Sequence, residues 1–172
     1  MLVDIALQGP NSKNILLALA TNNKTKSTIQ QLRRTKLCKI KINKYNLIVS
    51  RTGYTGEPLG YEIFVHPDDL IQLWNSLIKV GKPYGLLPCG LASRDSTRTE
   101  AGLPLYGHEI AGHLNITISE SGFGSYIKTY KPWFIGRKSY INSKDRGKIV
   151  RFRFDNKGVR MAHLGDPVVD KR

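Results

Sequence analysis

The sequence predicts an α+β fold, an antiparallel sheet with helices folded across it in a ferredoxin-like sandwich. Three observations carry that expectation. Residues 37–42 and 46–50 are β-rich runs on either side of the compact turn Asn43-Lys44-Tyr45, the pattern of a hairpin. Residues 61–66 form a third strand with Tyr61, Ile63 and Val65 on one side and Phe64 on the other, which places it inside a sheet, covered on both faces. After it, Leu70, Leu73, Trp74, Leu77 and Ile78 recur at the i, i+3, i+4, i+7, i+8 spacing of one buried helical face. A sheet and an amphipathic helix packed back over it bury each other's apolar surface.

The remaining elements follow in chain order. Residues 4–7 are a short strand, Gly9-Pro10 a turn, and Asn11 the cap of an apolar helix over 12–19. Residues 21–27 are polar and read as a loop, followed by a short helix around 29–34. Between the hairpin and the third strand, Arg51-Thr-Gly-Tyr-Thr-Gly56 is a tightly turned loop whose glycines suit positive φ. In the helix that follows, Pro67 suits the first helical position and Asp68 and Asp69 complement its positive end, while Gly81 and Pro83 stop it. A second helix spans 90–101 and ends at Gly102. Beyond Tyr126 the pattern changes: Lys131-Pro-Trp133 breaks the chain, 134–142 is a short helix, and 147–154 alternates like a strand entering new structure. A boundary near 143–146 divides the sequence into regions 1–143 and 144–172.

The 172 residues are 40% hydrophobic and 23% charged, a globular composition with enough apolar surface for a core. The longest apolar runs, such as 15–20, fall far short of the roughly 20 residues a membrane-spanning helix needs. No secretory signal pattern opens the chain, and a cytoplasmic protein is the expectation. Cys38 and Cys89 lack CxxC spacing and read as reduced core thiols. The formal charge of +14 is unevenly spread. Residues 5–55 hold 10 Lys or Arg and no carboxylate, 57–125 hold 4 basic against 8 acidic residues, and 126–172 hold 13 against 4. Such a balance favours an anionic partner without choosing among RNA, a membrane surface, an acidic protein and a polyanionic small molecule.

Physical chemistry singles out Glu62 first. A carboxylate in mid-strand with apolar neighbours loses hydration, which costs several kcal/mol (~ in order of magnitude) unless donors replace the water. The donors it matches are a planar N–H/N–H edge, of an arginine or of a ligand carrying a 2-amino-pyrimidinone ring. An internal ion pair or a solvent-facing edge remains the alternative. Arg94 is second: it shares a helix side with Arg98, two like charges at i, i+4. Asp95 serves Arg98 at i+3, which leaves Arg94 to hold another carboxylate, of protein or of ligand. His108 and His113 have no companions at zinc spacing, so no metal site is expected. Walker, GxGxxG and GxSxG patterns are missing, and no nucleic-acid-binding signature accompanies the basic stretches.

Read in order, Ala6-Leu-Gln-Gly-Pro10, Arg51-Thr-Gly-Tyr-Thr-Gly-Glu57, Gly60-Tyr-Glu-Ile63, Gly90-Leu-Ala-Ser-Arg-Asp-Ser96, Arg98-Thr-Glu-Ala-Gly102, Leu105-Tyr-Gly-His-Glu-Ile110 and Phe134-Ile-Gly136 resemble the motif series of the glycine cleavage T-protein family, the tetrahydrofolate-dependent aminomethyltransferases. The resemblance runs from residue 4 to about residue 165. It implies that Glu62 binds the pterin edge of folate, that Arg94 is a folate contact, and that Tyr54 and Tyr106 line the cavity. It implies a reaction in which an aminomethyl group on the lipoyl arm of an H-protein is passed to tetrahydrofolate, giving 5,10-methylenetetrahydrofolate, ammonia and the reduced arm. Folate and H-protein, both anionic, suit the two cationic stretches.

The departures are equally specific. Family members are more than twice this length, and no residue here matches the aspartate regarded as the family's catalytic group, so the catalytic residue is unknown. A further folate-binding arginine and most of the C-terminal β-barrel have no counterpart. The loop from Glu57 to Glu62 is one residue longer than the common GEDGxEI form. The resemblance therefore makes residues 1–143 a folate-binding α+β region without the family's N-terminal part, and 144–172 the start of a truncated C-terminal β domain. Two expectations follow: an aminomethyltransferase of this family, or a non-catalytic folate-binding or partner-docking subunit of a split enzyme completed by a second chain. Related tRNA-modifying and iron–sulfur-assembly families carry a KGCYxGQE signature that this sequence lacks.

Overall fold

The computed structural model describes residues 1–144, 146–160, 162–163 and 165–169. Its elements are β1 (Val3–Gln8), α1 (Ser12–Leu19), α2 (Asn23–Gln31), β2 (Leu37–Ile42), β3 (Tyr45–Ser50), β4 (Gly60–Val65), α3 (Leu70–Gly81), α4 (Leu91–Glu100) and α5 (Arg137–Asn142). The four strands form one antiparallel sheet in the order β1-β4-β3-β2. With helices grouped on a sheet face the architecture is α+β. Its element order, β-α-α-β-β-β-α, differs from the β-α-β-β-α-β order of a ferredoxin-like unit and leaves β1 at a sheet edge. Contacts divide the chain into two units, Met1–Leu105 and Tyr106–Arg172. Among the described residues no helix is long and apolar enough to cross a membrane.

In the first unit, strand alternation sorts side chains between two faces. Ile5 and Leu7 of β1, Leu47 and Val49 of β3, and Tyr61, Ile63 and Val65 of β4 are buried on the helix side. They meet Ile15 and Leu16 of α1, Ile29 of α2, and Leu73 and Leu77 of α3 in one core. Helix α1 packs on β4 and lies between α2 and α3. On the other face β1 and β3 present Asp4, Ala6, Gln8 and Ser50, and β4 presents Glu62 and Phe64, all exposed or half-buried. β4 is central, as its composition predicts, but it is fully covered on one face only.

Several local expectations change. Residues 21–27 are not a loop, and the helix expected over 29–34 lies earlier, as α2. Asn22 accepts a hydrogen bond from the Thr25 backbone N–H at 2.7 Å and caps that helix, while Thr25 and Ile29, one turn apart, bury a narrow stripe. Asn11 sits at the start of α1 without capping it; its Nδ2 donates instead to the Tyr84 carbonyl at 3.1 Å. The hairpin turn is tighter than expected, since Tyr45 already pairs with Ile42 and Asn43 takes φ 52°. Trp74, expected in the buried face of α3, is 40% exposed. Cys38 is half-buried and Cys89 is exposed, so only the first fits a core thiol.

The second unit is organised differently, for no apolar side chain among its described residues is buried. Among those described residues the one buried charged side chain is Glu120. The carboxylate accepts N–H donors from Thr117 at 2.7 Å, Arg146 at 2.7 Å and Gly147 at 3.2 Å. Those backbone bonds, Thr117 first, pull its pKa down from 4.5 to about 2. The Glu120 carbonyl also accepts from the Ile149 N–H at 2.9 Å. Residues 147–154 form no strand; Phe152 and Phe154 meet edge to face at 5.7 Å between ring centroids.

Candidate functional site

The site begins with a parity argument. Tyr61, Ile63 and Val65 point into the core, so Glu62 between them must stand on the outer face of the sheet's interior strand. In register, Ala6 of β1 and Ser50 of β3 flank it. The carboxylate is half-buried, less enclosed than apolar neighbours on both faces would make it. Its partner is not a cation: the Thr52 hydroxyl donates to Glu62 Oε2, and the Ser50 and Thr52 hydroxyls lie 2.9 Å apart. The Thr52 hydroxyl is the donor toward both Glu62 Oε2 and Ser50 Oγ, and the carboxylate is the stronger acceptor for its one proton. Glu62 Oε1 has no hydrogen-bond partner among the described residues.

The loop carrying Thr52 is tied down by Gln8, at the end of β1. Its Nε2 donates to the Thr52 carbonyl at 3.2 Å and to the Tyr61 carbonyl at 3.1 Å. A Cβ on Gly53 or Gly60 would fall 2.1 Å or 1.9 Å from Gln8 Oε1, so both positions are glycine to admit this amide. Further along, Gly56 takes φ +85°. The Tyr54 hydroxyl donates to the Pro104 carbonyl.

Arg94 lies in the first half of α4, exposed, with no ion pair or hydrogen bond from its guanidinium among the described residues. Arg98, one turn later, is only 3% exposed and satisfied: Nε donates to Asp95 Oδ1 at 2.7 Å, and an Nη donates to the Leu103 carbonyl at 3.3 Å. The i, i+3 pairing expected from spacing thus forms, and it leaves Arg94 uncommitted. Tyr106 belongs to the second unit, where it is 79% exposed and bridges to Ile110.

One charged residue escaped the sequence reading. Asp4 lies on the same face as Glu62, two positions along β1 from the residue opposite it. Burial and then the Glu62 charge push its carboxyl above the ordinary 3.8, partly offset by the Arg94 guanidinium and the Ile63 backbone. Asp4 is thus within electrostatic reach of both Glu62 and Arg94. In the linear sequence Asp4 is an isolated acid, and only the antiparallel register of β1 on β4 reveals it. On the same face, toward the β2 edge, Lys39, Lys41, Ile48 and Phe64 line an open depression of about 380 Å³.

Chemically, the group offers a carboxylate oriented by a hydroxyl, with one oxygen open to a donor edge, and a cation open to an acid. No cluster of three His, Cys, Asp or Glu suited to a metal ion occurs among the described residues. Residues 1–131 match the GCVT N-terminal domain family. The chain is 42% identical over 160 residues to an aminomethyltransferase of Alkaliphilus metalliredigens, covering 91% of this chain and 42% of that protein. It is 39% identical over 172 residues to the aminomethyltransferase of Alkaliphilus oremlandii, covering 96% and 45%, and 42% identical over 161 residues to that of Symbiobacterium thermophilum, covering 90% and 41%. The chain spans about two fifths of the length of these curated relatives.

Proposed function

Because the chain belongs to the GCVT N-terminal domain family, we propose that it serves tetrahydrofolate-dependent aminomethyl transfer in glycine cleavage. The observation that carries this reading is the Glu62 carboxylate, half-buried on the outer face of β4, with one oxygen fixed by Thr52 and the other open; Arg94, exposed on α4, makes no hydrogen bond or ion pair among the described residues and acts at longer range on Asp4. That donor and acceptor set fits a reduced folate. Glu62 would accept from the ring N–H and 2-amino group of the pterin, and Arg94 would meet negative charge on the same molecule. Tyr54 adds a further proposed contact. The pterin's amine supplies the nucleophile for the transferred carbon; the chain's residues bind and orient it.

The aminomethyl donor on this reading is the lipoyl arm of an H-protein. The products are 5,10-methylenetetrahydrofolate, ammonia and the reduced arm. Cationic residues over 5–55 and 126–172 favour encounter with both anionic partners in the cytoplasm. Residues 1–143 act as the folate-binding region and 144–172 lead toward the family's C-terminal β domain. No residue here takes the role of the family's catalytic aspartate. A second reading rests on the matched span of about two fifths: a folate-binding subunit that turns over only beside a second chain.

Titration with tetrahydrofolate tests the site, with Glu62→Ala beside the parent. A loss of about tenfold or more in affinity is expected, the scale of a hydrogen-bonded charge removed. Equal affinity in both at micromolar ligand removes Glu62 from the site. Turnover with aminomethylated H-protein by the purified chain alone supports the first reading; folate binding without turnover supports the second.

A further inference from the structure

We propose that Thr52 is a positioning residue for Glu62, set in place by Ser50 and by the Gln8 amide. The inference rests on the folate reading above and deepens it at the same site. A free glutamate side chain has three rotatable bonds, and a planar donor edge is gripped well only when the carboxylate plane is set beforehand. Thr52 supplies that setting: its hydroxyl, β-branched and therefore stiff at χ1, donates to Oε2. Ser50, directly across from Glu62 in the β3–β4 register, lies 2.9 Å from the Thr52 hydroxyl as its neutral acceptor and holds that hydroxyl next to the carboxylate. Gln8 fixes the backbone, since one Nε2 spans the Thr52 and Tyr61 carbonyls, joining the loop to the residue before Glu62. The buried Gln8 Oε1 has no hydrogen-bond partner and instead packs where Gly53 and Gly60 leave room. Such a cost in a polar group is explained if the amide is held for what its nitrogen does.

The test uses T52V, which keeps the shape and removes the hydroxyl, T52S, which restores it, and G53A, whose Cβ would displace the end of the Gln8 side chain while sparing Thr52. Two readouts are taken on each variant: tetrahydrofolate affinity, and the Glu62 ¹³Cδ chemical shift in the free protein at fixed neutral pH. T52V is expected to lose about tenfold in affinity and to move the ¹³Cδ resonance, T52S to stay within about threefold with the resonance in place, and T52V to add nothing in an E62A background. G53A is expected to shift both readouts in the T52V direction, and it decides the matter should T52V not fold. An unmoved resonance and parental affinity in folded T52V, or in G53A if T52V is unfolded, overturn the assignment. If E62A itself binds tetrahydrofolate like the parent, the folate reading has failed, and the ¹³Cδ shift alone still decides whether Thr52 holds Glu62.

Discussion

Asp4 carries the most direct electrostatic consequence at the residue scale. Its carboxyl is raised by burial and by Glu62, so the folded state holds the proton more tightly than the unfolded chain does. The stabilisation from that proton is complete below the ordinary 3.8 and is lost as pH rises through the raised folded value. At neutral pH an ionised Asp4 therefore opposes folding. Asp4→Asn should raise the melting temperature at pH 7, with the gain shrinking toward zero as pH falls below 4. A difference between the two proteins that stays constant from pH 3 to 8 contradicts this account. Glu62 and Arg94 can be singled out from the chain alone as site candidates, because desolvation and i, i+4 spacing are local arguments. Asp4 and Thr52 cannot: their roles depend on which strand lies beside β4, and a single sequence does not contain that pairing.

Among the elements, α3 and α2 mark what local pattern determines. In α3 the apolar spacing gives the helix and its inward face, and Leu73 and Leu77 are buried as that spacing demands. Trp74 follows the same spacing but stays 40% exposed, because the apolar stripe is wider than the surface available to cover it. Leu73→Ala should cost about 2–5 kcal/mol in denaturant unfolding, and Trp74→Ala clearly less; equal losses would mean the two share one environment. Helix α2 was hidden because eight of its nine residues are polar or charged, Ile29 alone being apolar, and its stability lies in a cap and the two buried anchors Thr25 and Ile29. The alternation over 147–154 misled for the opposite reason. A period of two marks a strand only where a neighbouring strand pairs with it, and none does among the described residues.

For the molecule as a whole, the two units differ in what holds them. Every buried apolar side chain among the described residues lies within Met1–Leu105, whereas the described part of Tyr106–Arg172 has polar bonds instead, those converging on the buried Glu120 among them. The first unit should therefore resist acid better than the second. Glu120 has a folded pKa near 2 against an ordinary 4.5, so its contribution is fully present above 4.5 and is lost as pH falls through 2. Amide exchange at Thr117, Arg146 and Gly147, the three donors to that carboxylate, is the local reporter. Glu120→Gln should expose those amides at neutral pH, since a neutral amide oxygen is a weaker acceptor than a carboxylate and its NH₂ brings donors to a site already full of them. Protection of Ile63 and Val49 in the core should be unchanged. If the three amides in the parent hold their protection from pH 5 down to 2, or if Glu120→Gln leaves them protected, the second unit is held by something other than this carboxylate.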